Sequence, residues 1–84
     1  MPKVELSAKE ALAKKRYNYV AAMMAAGFRQ KCMDTRDISK KTGIPERTVT
    51  ERMRHPERIR LEDLYAFADA AGVKIMFELA ELPE

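Results

Sequence analysis

The amino-acid sequence predicts a mainly helical domain of four to five helices, with a single β-strand close to its C-terminal end. Its 84 residues are enough for one domain and too few for two, so residues 1–84 are expected to form a single unit. Ala, Lys, Arg, Glu and Met dominate the composition, and these residue types favour helices. Apolar residues recur every three or four positions as far as Ala71 and every second position after Gly72. This change of period separates the helical part from the strand.

The composition and the cysteine content exclude several classes of protein. Apolar residues make up 46% of the chain and charged residues 35%, which is typical of a globular domain rather than of a disordered or fibrous chain. Cys32 is the only cysteine, so no disulfide framework is possible, and this suits a reducing, cytoplasmic compartment. No stretch approaches the roughly 20 apolar residues of a membrane span, and the first residues lack a signal-peptide core. We therefore expect a cytoplasmic protein with no membrane partner.

The first helix is predicted to begin after Ser7. The tetrapeptide Ser7-Ala8-Lys9-Glu10 has the form of a capping box, in which the first and last side chains accept each other's backbone amide hydrogens. Apolar positions then keep a helical spacing, and Gly27 is a suitable residue for ending the helix. We expect these positions to pack in the core, with residues 20–26 buried on nearly all sides. A surface for a partner helix is the alternative.

Two short helices joined by a tight turn are predicted next. Asp34 and Asp37 form a second capping box that opens a helix, and Gly43 stops this helix. Another helix should run over residues 45–54. Pro45 fits its first turn, because the amide hydrogen that proline lacks would have no partner there.

A fourth helix over residues 61–71 is followed by a predicted strand. Gly72 ends the helix, and residues 73–79 then alternate between apolar and polar types, a period typical of a half-buried strand. A lone strand cannot satisfy its own backbone, so it needs either residues 3–6 or the same strand of a second subunit as its partner. Both possibilities are open. In the second case the predicted dimer contacts are Val73, Ile75, Phe77 and Leu79.

Residues 34–54 meet the requirements of a helix-turn-helix. Where two helices cross, the first needs a small side chain, and Ser39 provides it. The turn needs a residue that tolerates a positive φ, which is the property of Gly43. Ile38, Ile44 and Val49 supply apolar contacts that fix both helices to the core. The motif is typical of proteins that bind the major groove of DNA.

At these residues the sequence resembles the Cro and phage-repressor type of helix-turn-helix protein, the XRE family. Residues 33–44 resemble the first motif helix and turn of that family, and residues 56–73 resemble its following helix. The resemblance implies a lambda-repressor-like fold and a phage or mobile-element repressor in the bacterial nucleoid or the cytoplasm of an infected host. It also implies that the helix over residues 45–54 enters the major groove. The terminal strand resembles the strand by which Cro-like proteins dimerise.

Charge is distributed unevenly along the chain. Residues 1–60 contain 15 Lys and Arg against 7 Asp and Glu, a net charge of +8. Residues 61–84 contain one Lys against six acids, a net charge of −5. A basic segment of this kind is expected of a protein that binds the phosphate backbone of a nucleic acid. The acidic end is predicted to face a different partner.

If the motif docks as the resemblance implies, the first turns of the helix over residues 45–54 lie closest to the base edges. Arg47 is the candidate for bidentate contact with guanine, Thr50 for contact with a thymine methyl group or a phosphate, and a glutamate for contact with cytosine. The glutamates otherwise pair with Arg47 or Arg54 or face sideways. The predicted base contacts are Glu46, Arg47, Thr50, Glu51 and Arg54. The predicted phosphate contacts are Thr35, Arg36, Lys40, Arg52, Arg58 and Arg60.

The sequence contains no pattern that indicates catalysis. His55 has no neighbours at metal-ligand spacing, and Cys32 has no histidine or cysteine partner for nucleophilic chemistry. We therefore expect no enzyme activity, no metal and no cofactor. The favoured function is a sequence-specific transcriptional regulator that binds double-stranded operator DNA as a homodimer.

Two other functions stay open at this point. The acidic strand would suit a protein partner that binds it by β-augmentation, as in an antitoxin or an assembly factor. The helix-turn-helix would also suit an accessory protein of DNA packaging or recombination, because one motif serves many functions.

Overall fold

Helices account for most of the fold in the computed structural model, which describes residues 7–80. The elements in chain order are α1 Ala8–Gln30, α2 Thr35–Thr42, α3 Glu46–Arg54, a 3-10 helix Pro56–Arg58 and α4 Leu61–Ala71. α1 packs against α4 and the 3-10 helix, while α2 packs against α3 and α4. The prediction of a mainly α protein is therefore confirmed.

All four α-helices contribute side chains to the core. Phe67 of α4 is fully buried, and its ring meets that of Phe28 edge to face with the centroids 6.5 Å apart. Val49 is also fully buried and fixes α3 to the rest of the domain. Burying a side chain of this kind contributes about 1.5–3 kcal/mol. The buried residues are Met24, Phe28, Ile38, Val49, Phe67, Ala68, Ala70 and Ala71.

The prediction that α1 ends at Gly27 is wrong, because the helix continues to Gln30. Gly27 is buried where α1 crosses α4. A Cβ added to it would lie 2.5 Å from the carbonyl oxygen of Ala71 and 2.8 Å from the Ala71 Cβ. The glycine therefore allows the backbones of the two helices to approach closely, which is a tertiary requirement that the local sequence does not show.

α1 begins as predicted and ends in a turn around Cys32. At its start the Glu10 amide donates a hydrogen bond to the Ser7 hydroxyl at 3.2 Å, which is one half of the predicted capping box. At its end the Met33 amide donates to the Phe28 carbonyl oxygen at 2.9 Å, and Cys32 has a φ of 55°. This left-handed conformation is usually adopted by glycine, and it costs another residue about 1–2 kcal/mol.

Much of α1 lies outside the core, so the expectation that its apolar positions are buried is correct for Met24 and Phe28 and wrong for most of the others. Only Met24, Gly27 and Phe28 are buried within it, and Met23 and Tyr19 are exposed. The reason is length, because 23 residues span about 34 Å whereas the 11 residues of α4 span about 16 Å. Within residues 7–80, no helix combines the length and the apolar character needed to cross a membrane.

The predicted ends of α2 and α4 are confirmed, as is the end of α3 at Arg54. Pro45 is the N-cap residue that precedes α3 and does not belong to its first turn, so the predicted start is one residue too early. The Asp37 amide donates to the Asp34 carboxylate at 2.9 Å, and the Asp34 amide donates to the Asp37 carboxylate at 3.0 Å. The first of these hydrogen bonds is the largest cause of an Asp34 pKa below its ordinary value. Gly43 and Gly72 end α2 and α4 with φ angles of 78° and 75°.

The predicted strand over residues 73–79 does not form within the part of the chain that the structure describes. Val73 and Ile75 are half-buried against the core, whereas Phe77 and Leu79 are exposed. A strand needs a neighbouring strand for its backbone hydrogen bonds. One predicted partner, residues 3–6, lies outside the described residues, and the other is a second copy of the chain.

Candidate nucleic-acid interface

α3 has an inner side packed on the core and an outer face in solvent. Val49 anchors the inner side, and the half-buried Met53 extends it by one turn. With a rotation of about 100° per residue, Arg47, Glu51 and Arg54 lie about 140–160° from Val49, on the opposite side of the helix. Thr50 lies to one side at about 100°, and Glu46 lies about 60° from Val49. Of these residues, Arg47, Thr50 and Arg54 are exposed and Glu51 is half-buried.

Glu51 forms an ion pair with Arg58 of the 3-10 helix. The Arg58 guanidinium donates a hydrogen bond to the Glu51 carboxylate at 2.7 Å. Both side chains are about half exposed, so the pair contributes little to stability, about 0.2–1 kcal/mol. It neutralises an acid on the outer face of α3. The partner is Arg58 and not Arg47 or Arg54, the two partners considered from the sequence.

Arg47 and Arg54 form no ion pair with any residue that the structure describes. Their guanidinium groups are therefore available for other acceptors, and each carries several donors in a planar array. Thr50 lies between them along the helix axis, at the edge of the same face. Glu46 is exposed in the first turn of α3, where the helix dipole stabilises a carboxylate. Glu46 thus has a role in helix stability in addition to its predicted base contact.

The turn between α2 and α3 is held by Thr42. Its hydroxyl donates to the Ile38 carbonyl oxygen at 2.7 Å and accepts from the Ile44 amide at 3.2 Å. Together with the left-handed Gly43, these two hydrogen bonds fix how the chain leaves α2. The position of α3 relative to α2 is therefore set by local bonds as well as by packing.

The first backbone amides of α2 have a side-chain acceptor, whereas those of α3 have none among the described residues. At α2 the Asp34 carboxylate already accepts the Asp37 amide. α3 follows Pro45, which makes no side-chain capping bond. Uncapped amides and the positive end of a helix dipole favour an anion. A main-chain contact with phosphate therefore suits the start of α3 better than the start of α2.

The candidate phosphate contacts differ in exposure. Arg36 and Lys40 are exposed on α2, and Arg60 is exposed immediately before α4. Thr35 is the half-buried first residue of α2. Arg52 is half-buried, and its Nε atom is shielded from solvent without a hydrogen-bond partner among the described residues.

A cleft that the sequence does not predict lies between α1 and the C-terminal end of α3. Lys14, Tyr17 and Asn18 line it from α1, and Arg54 and His55 line it from the end of α3. Glu10 and Glu57 also line it, so the cleft holds two acids as well as the two cations Lys14 and Arg54. The basic residues in the first turns of α1 are visible in the sequence and could have indicated a contact with DNA. Periodicity could not show that these turns lie next to α3.

Cys32 and His55 lie at the ends of different helices. Cys32 is a free, exposed thiol in the turn after α1. His55 follows α3, and its Nδ1 atom is 3.6 Å from the Glu57 carboxylate. Within residues 7–80, no three His, Cys, Asp or Glu side chains come together as ligands for a metal ion.

The outer face of α3 thus carries the exposed donors of Arg47, Thr50 and Arg54, beside the Glu51–Arg58 ion pair. The cleft lined by Lys14 and Glu10 lies at its C-terminal end. Comparisons of the chain with protein-family models, with curated proteins and with solved structures find no match.

Proposed function

We propose that the protein is a sequence-specific DNA-binding regulator in which α2, the turn at Gly43 and α3 form a helix-turn-helix. The observation that carries this proposal is the two-sided character of α3. Val49 fixes one side to the core, and Arg47, Thr50 and Arg54 are exposed on the other. The major groove of DNA is wide enough for an α-helix, and a helix held in place by its inner side can present these donors to base edges.

Residues of this face have distinct roles in the proposed complex. Arg47, near the N-terminal end of α3, donates two hydrogen bonds to guanine. Thr50 contacts a thymine methyl group or a phosphate, and Glu46 accepts from the amino group of cytosine. Glu51 would have to release Arg58 before it could contact a base. In the proposed complex it instead orients Arg58 towards the phosphate backbone.

Cations around the outer face of α3 bind the phosphate backbone. Arg36 and Lys40 act from α2, assisted by the uncapped amides at the start of α3. Lys14 adds a contact from α1, because it lines the same cleft as Arg54. Such contacts set the register of the protein on the duplex and carry no base information. The further backbone contacts are Thr35, Arg52 and Arg60.

The regulator is proposed to be of the Cro and phage-repressor type, acting in the cytoplasm. A single recognition helix reads only one half-site. A homodimer places two such helices about one helical turn of DNA apart, roughly 34 Å, on a pseudo-palindromic operator. The dimer therefore gains affinity and specificity that one small domain lacks.

Selection from a pool of random DNA duplexes tests this function. The protein is incubated with the pool at physiological salt, and the bound duplexes are sequenced. We expect an enriched inverted repeat with half-sites about 10 base pairs apart. Arg47→Ala should lower the affinity for this repeat by about 1–3 kcal/mol and relax the base preference at one position of each half-site.

Arg29→Ala is the matched control, since it removes an exposed arginine from the last turn of α1. It should leave affinity and base preference unchanged. If Arg47→Ala weakened binding to every sequence equally, Arg47 would be a phosphate contact. Binding without any enriched sequence would contradict a sequence-specific regulator.

A second candidate function is a protein-interaction module such as an antitoxin or an assembly factor. The observation that favours it is the exposed apolar segment near the end of the described residues, where Phe77 and Leu79 face solvent. The two functions involve different surfaces. Phe77→Ser would disturb a protein partner, whereas Arg47→Ala would disturb DNA binding.

A further inference from the structure

One side of α1 carries an apolar pocket that is open to solvent. Leu12, Tyr19 and Val20 lie on this side at helical spacing, and Lys15 and Arg16 border the pocket with positive charge. Leu12 is 46% exposed and Tyr19 is 65% exposed. These five residues are named the α1 groove.

The segment that follows α4 runs back along α1 towards this groove. Gly72 lies beside the Lys31 side chain, next to the C-terminal end of α1. Further along, Ile75 and Met76 share a recess with Tyr19, which is about three turns nearer to the start of α1. The chain therefore travels antiparallel to α1. Because Tyr19 lines both the recess and the α1 groove, the segment reaches the edge of the groove.

The end of this segment is apolar and exposed. Phe77 is 81% exposed and Leu79 is 98% exposed. In an extended chain these two side chains point to the same side. An open apolar groove and an exposed apolar segment thus lie close together, and neither covers the other.

Charge makes the groove and the segment complementary. Lys15 and Arg16 border the groove, whereas Glu78 lies between the two apolar residues of the segment. Glu81 and Glu84 follow in the sequence. Opposite charges at the edge of an interface speed association and disfavour wrong pairings. The α1 groove therefore fits an acidic peptide with apolar anchors, and this chain contains such a peptide.

We propose that residues 77–80 of one copy lie in the α1 groove of a second copy, and that the exchange is reciprocal. Each copy supplies one groove and one segment, so a twofold axis fills both grooves and closes the assembly at a dimer. Phe77 and Leu79 are the apolar anchors. This exchange deepens the dimeric part of the proposed function by naming the contact surface. It does not involve the outer face of α3.

Disulfide cross-linking of mixed single-cysteine variants tests the exchange in the whole chain without DNA. Cys32 is free and exposed, so both proteins first carry Cys32→Ser. One then carries Leu12→Cys and the other Leu79→Cys, with a mass tag on one of them. Both positions are exposed, so the fold should be kept. We expect the mixed disulfide to exceed that of the control pair Glu62→Cys with Leu79→Cys by at least about tenfold.

Three cross-linking results would overturn the exchange. A preferred disulfide between two Leu79→Cys copies would place the segments side by side, as in paired strands. A disulfide within one chain that carries both Leu12→Cys and Leu79→Cys would place the segment in its own groove. A mixed disulfide no stronger than the control would show that groove and segment do not meet.

Sedimentation equilibrium gives a second readout of the same exchange. Phe77→Ser with Leu79→Ser should raise the dissociation constant of the dimer at least about tenfold, because the apolar anchors are lost. An unchanged dissociation constant would contradict the exchange. Arg47→Ala should change neither the cross-link nor the dissociation constant. Failure of DNA selection would thus refute the proposed function alone, and failure of cross-linking would refute the exchange alone.

Discussion

The Nε atom of Arg52 is shielded from solvent and has no hydrogen-bond partner among the described residues. A shielded donor without a partner costs about 1–3 kcal/mol, so this side chain works against the stability of the free domain. The planar guanidinium group is also well suited to phosphate, since it can bind two oxygens at once. A residue that lowers stability in the free protein is expected to function in a complex.

Arg52→Met should separate stability from DNA binding. Methionine has no donor to leave unsatisfied, so the free energy of unfolding should stay the same or rise by about 1 kcal/mol. Affinity for DNA should fall by the same factor for every sequence, because a phosphate contact is lost. Urea denaturation and DNA titration measure the two effects.

The exposed Arg36→Met is the control for this substitution. It should weaken DNA binding and leave the free energy of unfolding unchanged. A clear loss of stability in Arg52→Met would show that the Arg52 side chain is needed for folding, and that its shielded atom is not a net cost.

The sequence predicts which side chains are buried better than it predicts which side chains pair with each other. The exposure of Arg47 and the burial of Val49 follow from helical periodicity once the start of α3 is known. The pairing of Glu51 with Arg58 does not, because the two residues are seven positions apart and Pro56 interrupts the helix between them. No rule for neighbours within one helix applies to such a pair.

At the scale of the helices, the end of a helix can be predicted where neighbouring residues in the sequence determine it. The left-handed Gly43 and Gly72 stop α2 and α4 because the helix-ending bonds lie within the same short segment. Gly27 is also a glycine, but it does not end a helix. It allows α1 to approach Ala71 of α4 closely, and the local sequence does not show this contact. In the described part of the chain, the strand predicted over residues 73–79 does not form for a similar reason, since it too depends on residues far away in the sequence. Alternation shows which positions share a side, but pairing requires a second strand.

Gly27→Ala should destabilise the domain by about 3 kcal/mol, the upper end of the cost of overpacking. The new Cβ would meet the backbone oxygen of Ala71 at 2.5 Å, and a backbone atom cannot rotate away. Gly43→Ala is the matched control, since its Cβ would enter open space and only the positive φ opposes it. That strain costs about 1–2 kcal/mol. Urea denaturation followed by circular dichroism compares the two, and equal losses would argue against a tight crossing of α1 and α4.

At the scale of the whole molecule, the net charge of +3 conceals a separation of charge along the chain. Residues 1–60 carry +8 and residues 61–84 carry −5. The net value is therefore a poor guide to how strongly the protein attracts DNA. The salt dependence of binding is a better one, because it counts the phosphates that cations neutralise.

We expect the logarithm of the DNA affinity to fall linearly with the logarithm of the salt concentration. The six cations proposed to contact phosphate in each protomer predict a slope of about −5 per half-site. Lys40→Ala, on the exposed side of α2, should make this slope shallower by about 1. Arg47→Ala should leave it unchanged, since a base contact releases no counterion. Fluorescence anisotropy at several salt concentrations measures the slope, and a wild-type value near zero would rule out the basic surface as a DNA contact.

The uneven burial of α1 gives its two halves different local stabilities. Met24, Gly27 and Phe28 belong to the core, so the second half can open only when the domain unfolds as a whole. The first half has no buried residue, and its backbone hydrogen bonds can break locally at a small free-energy cost. A second copy bound along Leu12 and Tyr19 would join both halves into one cooperative unit. Dimerisation would then be partly a folding reaction. It would also stabilise the turns of α1 that line the cleft beside Arg54.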